Sequence, residues 1–235
     1  MSDHMKRLAA PRSWAIPRKT HVWAVKQSPG AHSVEHSMPA AMVLRDMMKV
    51  CDTAREAGRI IGNREMFVDG KAVKNPKDPV GIMDIVKVPK LNLCCRMVLT
   101  GKGKLTLVNV KDDEAKWILC RVENKTKVAG GKIQLNMSGG RNLLISNNQY
   151  NTGDSVKVNL ENDEIIGSYP LSENAVVLIT DGRHAGKIET VDKYIIVSHS
   201  KDNIVTFKSN NETVKKNVFV IGAGKAEITL PEVSE

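Results

Sequence analysis

Residues 38–89 read MPAAMVLRDMMKVCDTAREAGRIIGNREMFVDGKAVKNPKDPVGIMDIVKVP, and no other stretch constrains the architecture as strongly. Apolar residues recur at helical spacing from Val43 to Cys51, which predicts a first short helix. A second helix is predicted to begin after Asp52 or Thr53, because Glu56 follows Thr53 by three residues in the pattern of a capping box. The segment therefore opens with two consecutive short helices.

Strand patterns follow these helices. Asp69-Gly70 lies between two short runs of strand-forming residues, 66–68 and 71–74, and this dipeptide is typical of a tight hairpin turn. A third strand is predicted from Ile82 to Val88. The segment thus combines a helix pair with a small antiparallel sheet.

This order of elements resembles the alpha-L RNA-binding domain of ribosomal proteins and of some RNA-modifying enzymes. Leu44, Ala54, Ile60, the hairpin 68–73 and the strand 81–86 carry the resemblance. It implies a concave basic face that contacts RNA phosphates. The residues assigned to this face are Arg45, Lys49, Arg55, Arg59, Arg64 and Lys71. The alternative is that these cations form an ordinary solvated surface.

The net charge of +9 is distributed unevenly along the chain. Residues 1–30 and 31–110 each carry +5, whereas 111–170 are neutral and 171–235 carry −1. Such an asymmetry is expected when one half of a protein lies on a polyanion. We therefore expect the N-terminal half to bind RNA and the C-terminal half to face outward or to meet protein.

Residues 1–37 are predicted to be a basic arm that is threaded along RNA rather than a domain. Prolines interrupt every helical pattern, and the apolar residues are too few to form a core alone. Trp14 and Trp23 are available either for stacking on bases or for docking on the neighbouring domain. The predicted RNA-binding residues of the arm are Lys6, Arg7, Arg12, Trp14, Arg18, Lys19 and Lys26.

Residues 91–172 predict a small, mostly β domain that follows a domain at 38–90. Short strand patterns alternate with Gly, Asn and Asp, and one helix is predicted from Asp113 to Val122 with Asp112 as its cap. The strands are predicted at 96–100, 105–110, 132–137, 142–146, 155–159 and 165–169. Lys102 and Lys104 lie in a glycine-containing turn, which is either an RNA contact or a plain hairpin turn.

Residues 173–235 predict a five-stranded barrel. The strands at 175–180 and 188–191 flank the loop 181–187, and further strands are predicted at 194–197, 203–207 and 218–221. This strand-loop-strand unit resembles the KOW motif of SH3-like barrels, with Gly182 and Gly186 as the residues that the tight loop requires. The loop residues predicted to contact RNA are Arg183, His184 and Lys187.

The remaining chemical patterns predict no catalytic, cofactor or metal site. The 182–188 loop lacks the spacing of a P-loop and has no Ser or Thr after its Lys. Cys51, Cys94, Cys95 and Cys120 are expected to be buried free thiols, since no Cys-x-x-Cys pair occurs. Asp84 is expected to cap a neighbouring loop. No window is apolar enough to predict a transmembrane helix or a secretion signal, so we expect a cytoplasmic protein.

Taken together, the chain resembles the e-type family of small-subunit ribosomal protein four, from Met5 to about Pro231. The most specific stretches are 6–11 with Trp14, 81–86 and 217–222. The resemblance implies an α+β, multidomain, non-enzymatic structural protein of the ribosome, present as a monomer and bound to small-subunit ribosomal RNA and neighbouring ribosomal proteins. Two alternatives remain: an RNA-modifying enzyme of the pseudouridine synthase type and a KOW-class transcription elongation factor.

Overall fold

A computed structural model describes residues 4–198 and 202–231. The chain forms two compact units, one built from residues 1–98 and 104–115 and the other from residues 99–103 and 116–235. Most of the secondary structure is β, with few helices. The prediction of a multidomain protein is thus confirmed at this coarse level.

The first unit contains two small strand pairs and most of one five-stranded antiparallel sheet. The strands are β1 His4–Lys6, β2 Trp23–Val25, β3 Ser37–Pro39, β4 Phe67–Val68, β5 Lys71–Ala72, β6 Pro79–Gly81, β7 Ile85–Val88, β8 Leu93–Leu99 and β9 Leu105–Asn109. In the pairs, β1 lies beside β2 and β3 beside β6, and in the sheet the order is β5-β4-β7-β8-β9. Strands β7 and β8 pair with each other, so this sheet continues across position 90.

The two predicted helices are present. Helix α1 spans Ala40–Met42 and continues as a π-helical turn, Val43–Met47. Helix α2 spans Ala54–Gly62 and begins with the predicted capping box: the Glu56 N–H donates to Thr53 Oγ1, and Glu56 accepts from the Thr53 N–H. Because each partner satisfies a backbone group that the helix leaves open, this pair of residues fixes where α2 begins.

The 66–74 hairpin is also confirmed. Asp69 and Gly70 have φ angles of 50° and 77°, which are the values that a two-residue hairpin turn of the primed type requires. The predicted third strand at 82–88 is wrong in its first part. The chain turns at 82–84 between β6 and β7, with Met83 at φ 74°, because Asp84 Oδ2 accepts the Gly81 N–H and closes the turn. Asp84 therefore caps a loop, as predicted.

The described part of the arm packs on the rest of the first unit. Trp14 is only 1% exposed, and its Nε1 donates to the Ser37 carbonyl at 2.7 Å. A Cβ on Gly81 would lie 2.2 Å from the His32 ring, so this glycine leaves the space that the ring occupies. The hydrogen bonds of the Trp14 indole go to Val34 and Ser37, which are residues of the arm itself, and the ring has no accessible face, so the predicted stacking of Trp14 on RNA is wrong.

The second unit contains two five-stranded antiparallel sheets. Their strands are β10 Trp117–Lys127, β11 Ile133–Met137, β12 Asn142–Ile145, β13 Ser155–Asn159, β14 Ile165–Tyr169, β15 Ala175–Ile179, β16 Ile188–Ile195, β17 Ile204–Phe207, β18 Glu212–Val214 and β19 Val218–Ala223. The strand orders are β12-β11-β10-β13-β14 and β18-β17-β16-β15-β19. Short 3-10 turns occur in both units at Arg7–Ala9, Pro89–Leu91, Glu114–Lys116, Ala129–Gly131, Ser138–Gly140 and Lys215–Asn217.

The predicted helix at 113–122 is wrong. Only Glu114–Lys116 is helical, and β10 begins at Trp117 as the central strand of its sheet. Side chains on both faces of this strand are buried at Ile118, Leu119 and Cys120. A continuous apolar run suits a strand buried on both faces as well as it suits one face of a helix, and tertiary pairing decides between them.

In the C-terminal sheet the number of strands matches the prediction but their bounds differ. The two strands expected at 188–191 and 194–197 form one bent strand, β16, with a bulge between Val191 and Lys193. The fifth strand is β18, which was not predicted. Val177, Val205, Phe207 and Val220 are at most 2% exposed and form the centre of its core.

The four cysteines are free and buried, as predicted. None of the helices in the described ranges combines the length and the apolarity that crossing a membrane requires.

Candidate nucleic-acid interface

The most regular basic surface is the exposed side of α2. Arg55 and Arg59 are exposed, while Ala57 and Ile61 on the same helix are completely buried. Residues four apart on a helix lie about 5–6 Å from each other at Cβ. The two guanidinium groups therefore form a pair of positive charges, and neither makes a salt bridge within the described residues.

Each of the two helices ends at a basic residue in the left-handed conformation. Lys49 has a φ of 53° and Arg64 a φ of 59°, and both are exposed. After α2, the Arg64 N–H donates to Ile61 O and the Glu65 N–H to Ile60 O, which is the Schellman arrangement. Glycine is the usual residue at this position, because a Cβ there costs about 1–2 kcal/mol. Two strained positions thus carry exposed cations.

The acidic residues around these cations are already engaged. Glu56 accepts the N–H groups of Asp52 and Thr53, and these backbone hydrogen bonds lower the pKa of its carboxyl group. Glu65 accepts from Lys90 Nζ at 2.7 Å, and this bond lowers the pKa of Glu65. Their carboxylates are therefore held by other partners, and Arg55, Arg59 and Arg64 remain available to an external anion.

The other cations assigned to the alpha-L face differ in accessibility. Arg45 is half-buried and forms a two-point ion pair with Asp46, in which the Nη2 of Arg45 lies 2.8 Å from the Oδ2 of Asp46. Lys71 is exposed at the edge of the hairpin. Of these two side chains, Lys71 is the better placed for a phosphate contact, because the charge of Arg45 is largely matched by its neighbour.

Two of the predicted cations of the arm make hydrogen bonds within the arm. Arg7 is 3% exposed, and its Nε donates to the Pro17 carbonyl. Arg18 donates to the carbonyls of Ala10 and Pro11 at 2.7 and 2.6 Å, and more weakly to Leu8. These bonds to backbone carbonyls hold the arm in its fold, and phosphate contact by the remaining donors of Arg7 and Arg18 stays a prediction.

The accessible cations of the arm lie elsewhere. Lys6, Arg12 and Lys19 are exposed and make no salt bridge in the part of the chain that the structure describes. Lys26 is half-buried. The arm therefore carries basic residues of two kinds, of which the exposed ones are the more accessible to RNA.

A groove in the first unit joins the arm to the helix pair. It has a volume of about 620 Å³, and its walls come from residues 7–23 of the arm and 45–54 of the helices. The chemically relevant lining residues are Arg7, His21, Trp23, Arg45, Lys49 and Asp52. Trp23 is 55% exposed at this groove.

In the second unit, two glycine-containing loops that are far apart in sequence touch each other. A Cβ on Gly186 would lie 1.8 Å from the Thr100 carbonyl oxygen, and a Cβ on Gly103 would lie 3.3 Å from Ala185 Cβ. Gly182 and Gly186 have φ angles of 89° and 85°, which confirms the predicted need for glycine.

This contact brings the predicted basic residues of two turns together. Lys102, Arg183 and Lys187 are exposed on the touching loops, and His184 is half-buried. Lys104 follows the first loop directly and is exposed. The sequence predicted each loop separately but gave no sign of their contact, which depends on the tertiary fold.

A buried ion pair fixes the arm close to the hairpin sheet. His32 Nε2 lies 3.0 Å from Asp84 Oδ1, with side-chain exposures of 12% and 5%. Burial alone lowers the pKa of His32, but the hydrogen bond and charge of Asp84, aided by Asp69, outweigh it, and the pKa is raised above its usual 6.5. Docking of the arm therefore stabilises the protonated imidazole relative to the unfolded chain.

The geometry offers no metal site within residues 4–198 and 202–231, where no cluster of three or more His, Cys, Asp or Glu side chains occurs. His32, which lies four residues before His36, is engaged with Asp84. The sequence left open whether Trp23 stacks on bases or docks on the protein, and the structure leaves its side chain 55% exposed.

Two family models match separate parts of the chain. The model of the Ribosomal family S4e matches residues 92–165, and that of the RS4NT (NUC023) domain matches residues 1–35. The small ribosomal subunit protein eS4 of Methanothermobacter thermautotrophicus is 39% identical over 232 residues, covering 97% of this chain and 96% of the relative. The chain belongs to the S4e family of ribosomal proteins.

Further members of the S4e family agree with this assignment. The eS4 protein of Archaeoglobus fulgidus is 41% identical over 222 residues, with 93% of each chain covered. The crystal structure of the 30S ribosomal protein S4e from Thermoplasma acidophilum matches with a TM-score of 0.70 and 30% identity, covering 80% of this chain and 96% of that one. The predicted family is therefore confirmed.

Proposed function

We propose that this chain is a structural constituent of the small ribosomal subunit that holds ribosomal RNA in place during assembly and translation. The observation that carries this proposal is its similarity, over nearly its whole length, to proteins named for the small ribosomal subunit. Exposed cations on α2 and at both helix ends support RNA as the partner. In this function the chain catalyses no reaction.

The finer assignments belong to the same proposal. The helix pair and hairpin act as an alpha-L domain, and the C-terminal strands with their glycine loop act as a KOW barrel. The proposed boundaries at 37 and 172 set off the arm and the barrel. The boundary expected at 90 falls inside the sheet β5-β4-β7-β8-β9, so β8 and β9 belong with the RNA-binding domain rather than with the central β domain. The protein works as a monomer within cytoplasmic ribosomes, where its less basic C-terminal half meets neighbouring ribosomal proteins.

Phosphate recognition at this surface follows from simple electrostatics. Each Lys or Arg that neutralises an RNA phosphate releases counterions, so the affinity falls as salt rises. The RNA-binding residues in this proposal are Lys6, Arg12, Lys19, Lys49, Arg55, Arg59, Arg64, Lys71, Lys102, Arg183 and Lys187, all of which are exposed. Sequence preference then comes from the folded shape of the RNA.

Sedimentation with crosslinking tests this function directly. A tagged copy of the full chain is expressed in cells, crosslinked, and fractionated at moderate salt, and the attached RNA is sequenced. We expect comigration with small subunits and crosslinks to small-subunit ribosomal RNA. Comigration with RNA polymerase would support the elongation-factor alternative instead. Tritium release from uridine-labelled RNA by the purified chain would support the synthase alternative.

A further inference from the structure

Trp23 is a large aromatic side chain that the fold leaves in water. It is 55% exposed, whereas Trp14 of the same arm is 1% exposed. Val22, which precedes it in the chain, and Leu8 on the facing segment are also exposed, at 66% and 68%. Exposed tryptophan is enriched at contact surfaces, because burying its large ring on a partner is favourable.

The indole is carried by fixed backbone. Trp23 begins β2 and is opposite Lys6 in its pairing with β1, and the Arg7 N–H donates to the Val22 carbonyl at 2.9 Å. The His4 ring lies 5.4 Å from the indole, centroid to centroid, with a tilt of 57°. A platform held in this way loses little conformational entropy when a planar partner stacks on it.

The surroundings of Trp23 favour an anionic partner. The groove beside it is lined by Arg7, Lys49, His21, the Arg45–Asp46 pair and Asp52, so that three Lys and Arg side chains face two carboxylates. Residues 4–34 contain no acidic side chain at all, while the same segment carries six Lys and Arg residues. An apolar face within such a segment fits a ligand that combines flat apolar rings with negative charge, and an unpaired nucleotide of RNA is of that kind.

We propose that Trp23 stacks on an unpaired base of RNA while Lys49 neutralises a phosphate at the same groove. This inference rests on the proposed RNA-binding function and assigns one single-stranded contact to it. The exposed arginines of α2 serve the phosphates of folded RNA, and Trp23 adds a contact that duplex RNA cannot offer, because its bases are already stacked.

The test uses the full chain and two RNA probes: a single strand of about twelve nucleotides and a duplex of the same length. We expect the single strand to quench the tryptophan fluorescence of the wild type more than that of Trp23→Ala, in which only Trp14 and Trp117 emit. The Trp23→Ala variant should bind the single strand roughly tenfold more weakly, with an unchanged salt dependence, because no phosphate contact is lost. Trp23→Phe should restore most of the affinity, and duplex binding should not change in either variant.

Val22→Ala is the matched control, since it removes an adjacent exposed apolar side chain without a ring. Equal binding of the single strand by wild type and Trp23→Ala would overturn the inference while leaving the proposed function intact. If Trp23→Ala lost binding to proteins extracted from small subunits while its RNA affinity stayed unchanged, Trp23 would belong to a protein contact, and the inference would also be overturned. Failure of the wild type to bind either RNA would contradict both proposals.

Discussion

At the scale of single residues, Lys49 and Arg64 are the most informative side chains. Both occupy a helix-terminating position where glycine is normally found. Strain of this kind persists where the side chain contributes something that glycine cannot supply. In this protein the contribution is positive charge at the ends of both helices of the pair.

This interpretation predicts opposite effects on stability and on binding. Lys49→Gly and Arg64→Gly should each stabilise the fold by up to about 1 kcal/mol, because the left-handed conformation no longer carries a Cβ. Each should also weaken binding to a ribosomal RNA fragment and reduce its salt slope by about one unit. Chemical denaturation and salt-dependent binding measure the two effects.

Asn92→Gly is the control for these variants. Asn92 has a φ of 51° and is exposed in the same unit, but it carries no charge. Its replacement should leave RNA binding unchanged. If Lys49→Gly and Arg64→Gly also left the affinity unchanged, the two cations would have no part in the interface.

His32 predicts a pH dependence of stability. Its pKa is raised in the folded state, so the His32–Asp84 pair stabilises the fold below the unfolded pKa of 6.5, and this stabilisation is lost as the pH rises through the folded value. The unfolding temperature should therefore fall more between about pH 6 and pH 8 in the wild type than in His32→Gln. Asp84→Asn should lose the same increment. If the unfolding temperature fell by the same amount over this pH range in the wild type and in both variants, the His32–Asp84 pair would not be a source of stability.

At the scale of elements, the sequence predicted the structure correctly where two nearby residues fix the backbone locally. The Thr53–Glu56 capping box and the Asp69-Gly70 turn each satisfy or shape the backbone locally, and both elements form where predicted. The helix expected at 113–122 failed because its apolar run is equally suited to a central strand, and pairing with β11 and β13 settles that choice only in three dimensions.

The contact between the two basic loops of the second unit gives an element-scale prediction. Gly186→Ala should destabilise that unit by roughly 2–4 kcal/mol, since the new Cβ meets the Thr100 carbonyl and also takes a left-handed φ. Gly130→Ala is the matched control: it has a φ of 79° but nothing within 4 Å of the new Cβ. Denaturation midpoints of the two variants separate the clash from the backbone strain. Equal midpoints would mean that the loops do not depend on close contact.

At the scale of the whole molecule, the surplus positive charge of the sequence lies in the half that carries the helix pair and its exposed arginines. The sequence could not show which cations are accessible. Arg7, Arg12 and Arg18 are alike in the sequence, since each is a basic residue of the arm. In the structure, however, Arg7 and Arg18 donate hydrogen bonds to backbone carbonyls of the arm. The candidate site was thus predictable as a charged segment but not residue by residue, because packing decides which donors stay free.

The central claim is that the exposed arginines of the helix pair bind small-subunit ribosomal RNA. The most direct measurement is the affinity of the Arg55→Ala/Arg59→Ala/Arg64→Ala variant for a small-subunit ribosomal RNA fragment across a range of salt concentrations. A second triple variant, Lys132→Ala/Lys193→Ala/Lys208→Ala, removes equal charge from exposed positions of the second unit. We predict that the arginine variant binds more weakly and that its salt slope is shallower by about two to three units, while the lysine variant remains close to wild type. Equal losses in both variants, or none in the arginine variant, would contradict the claim.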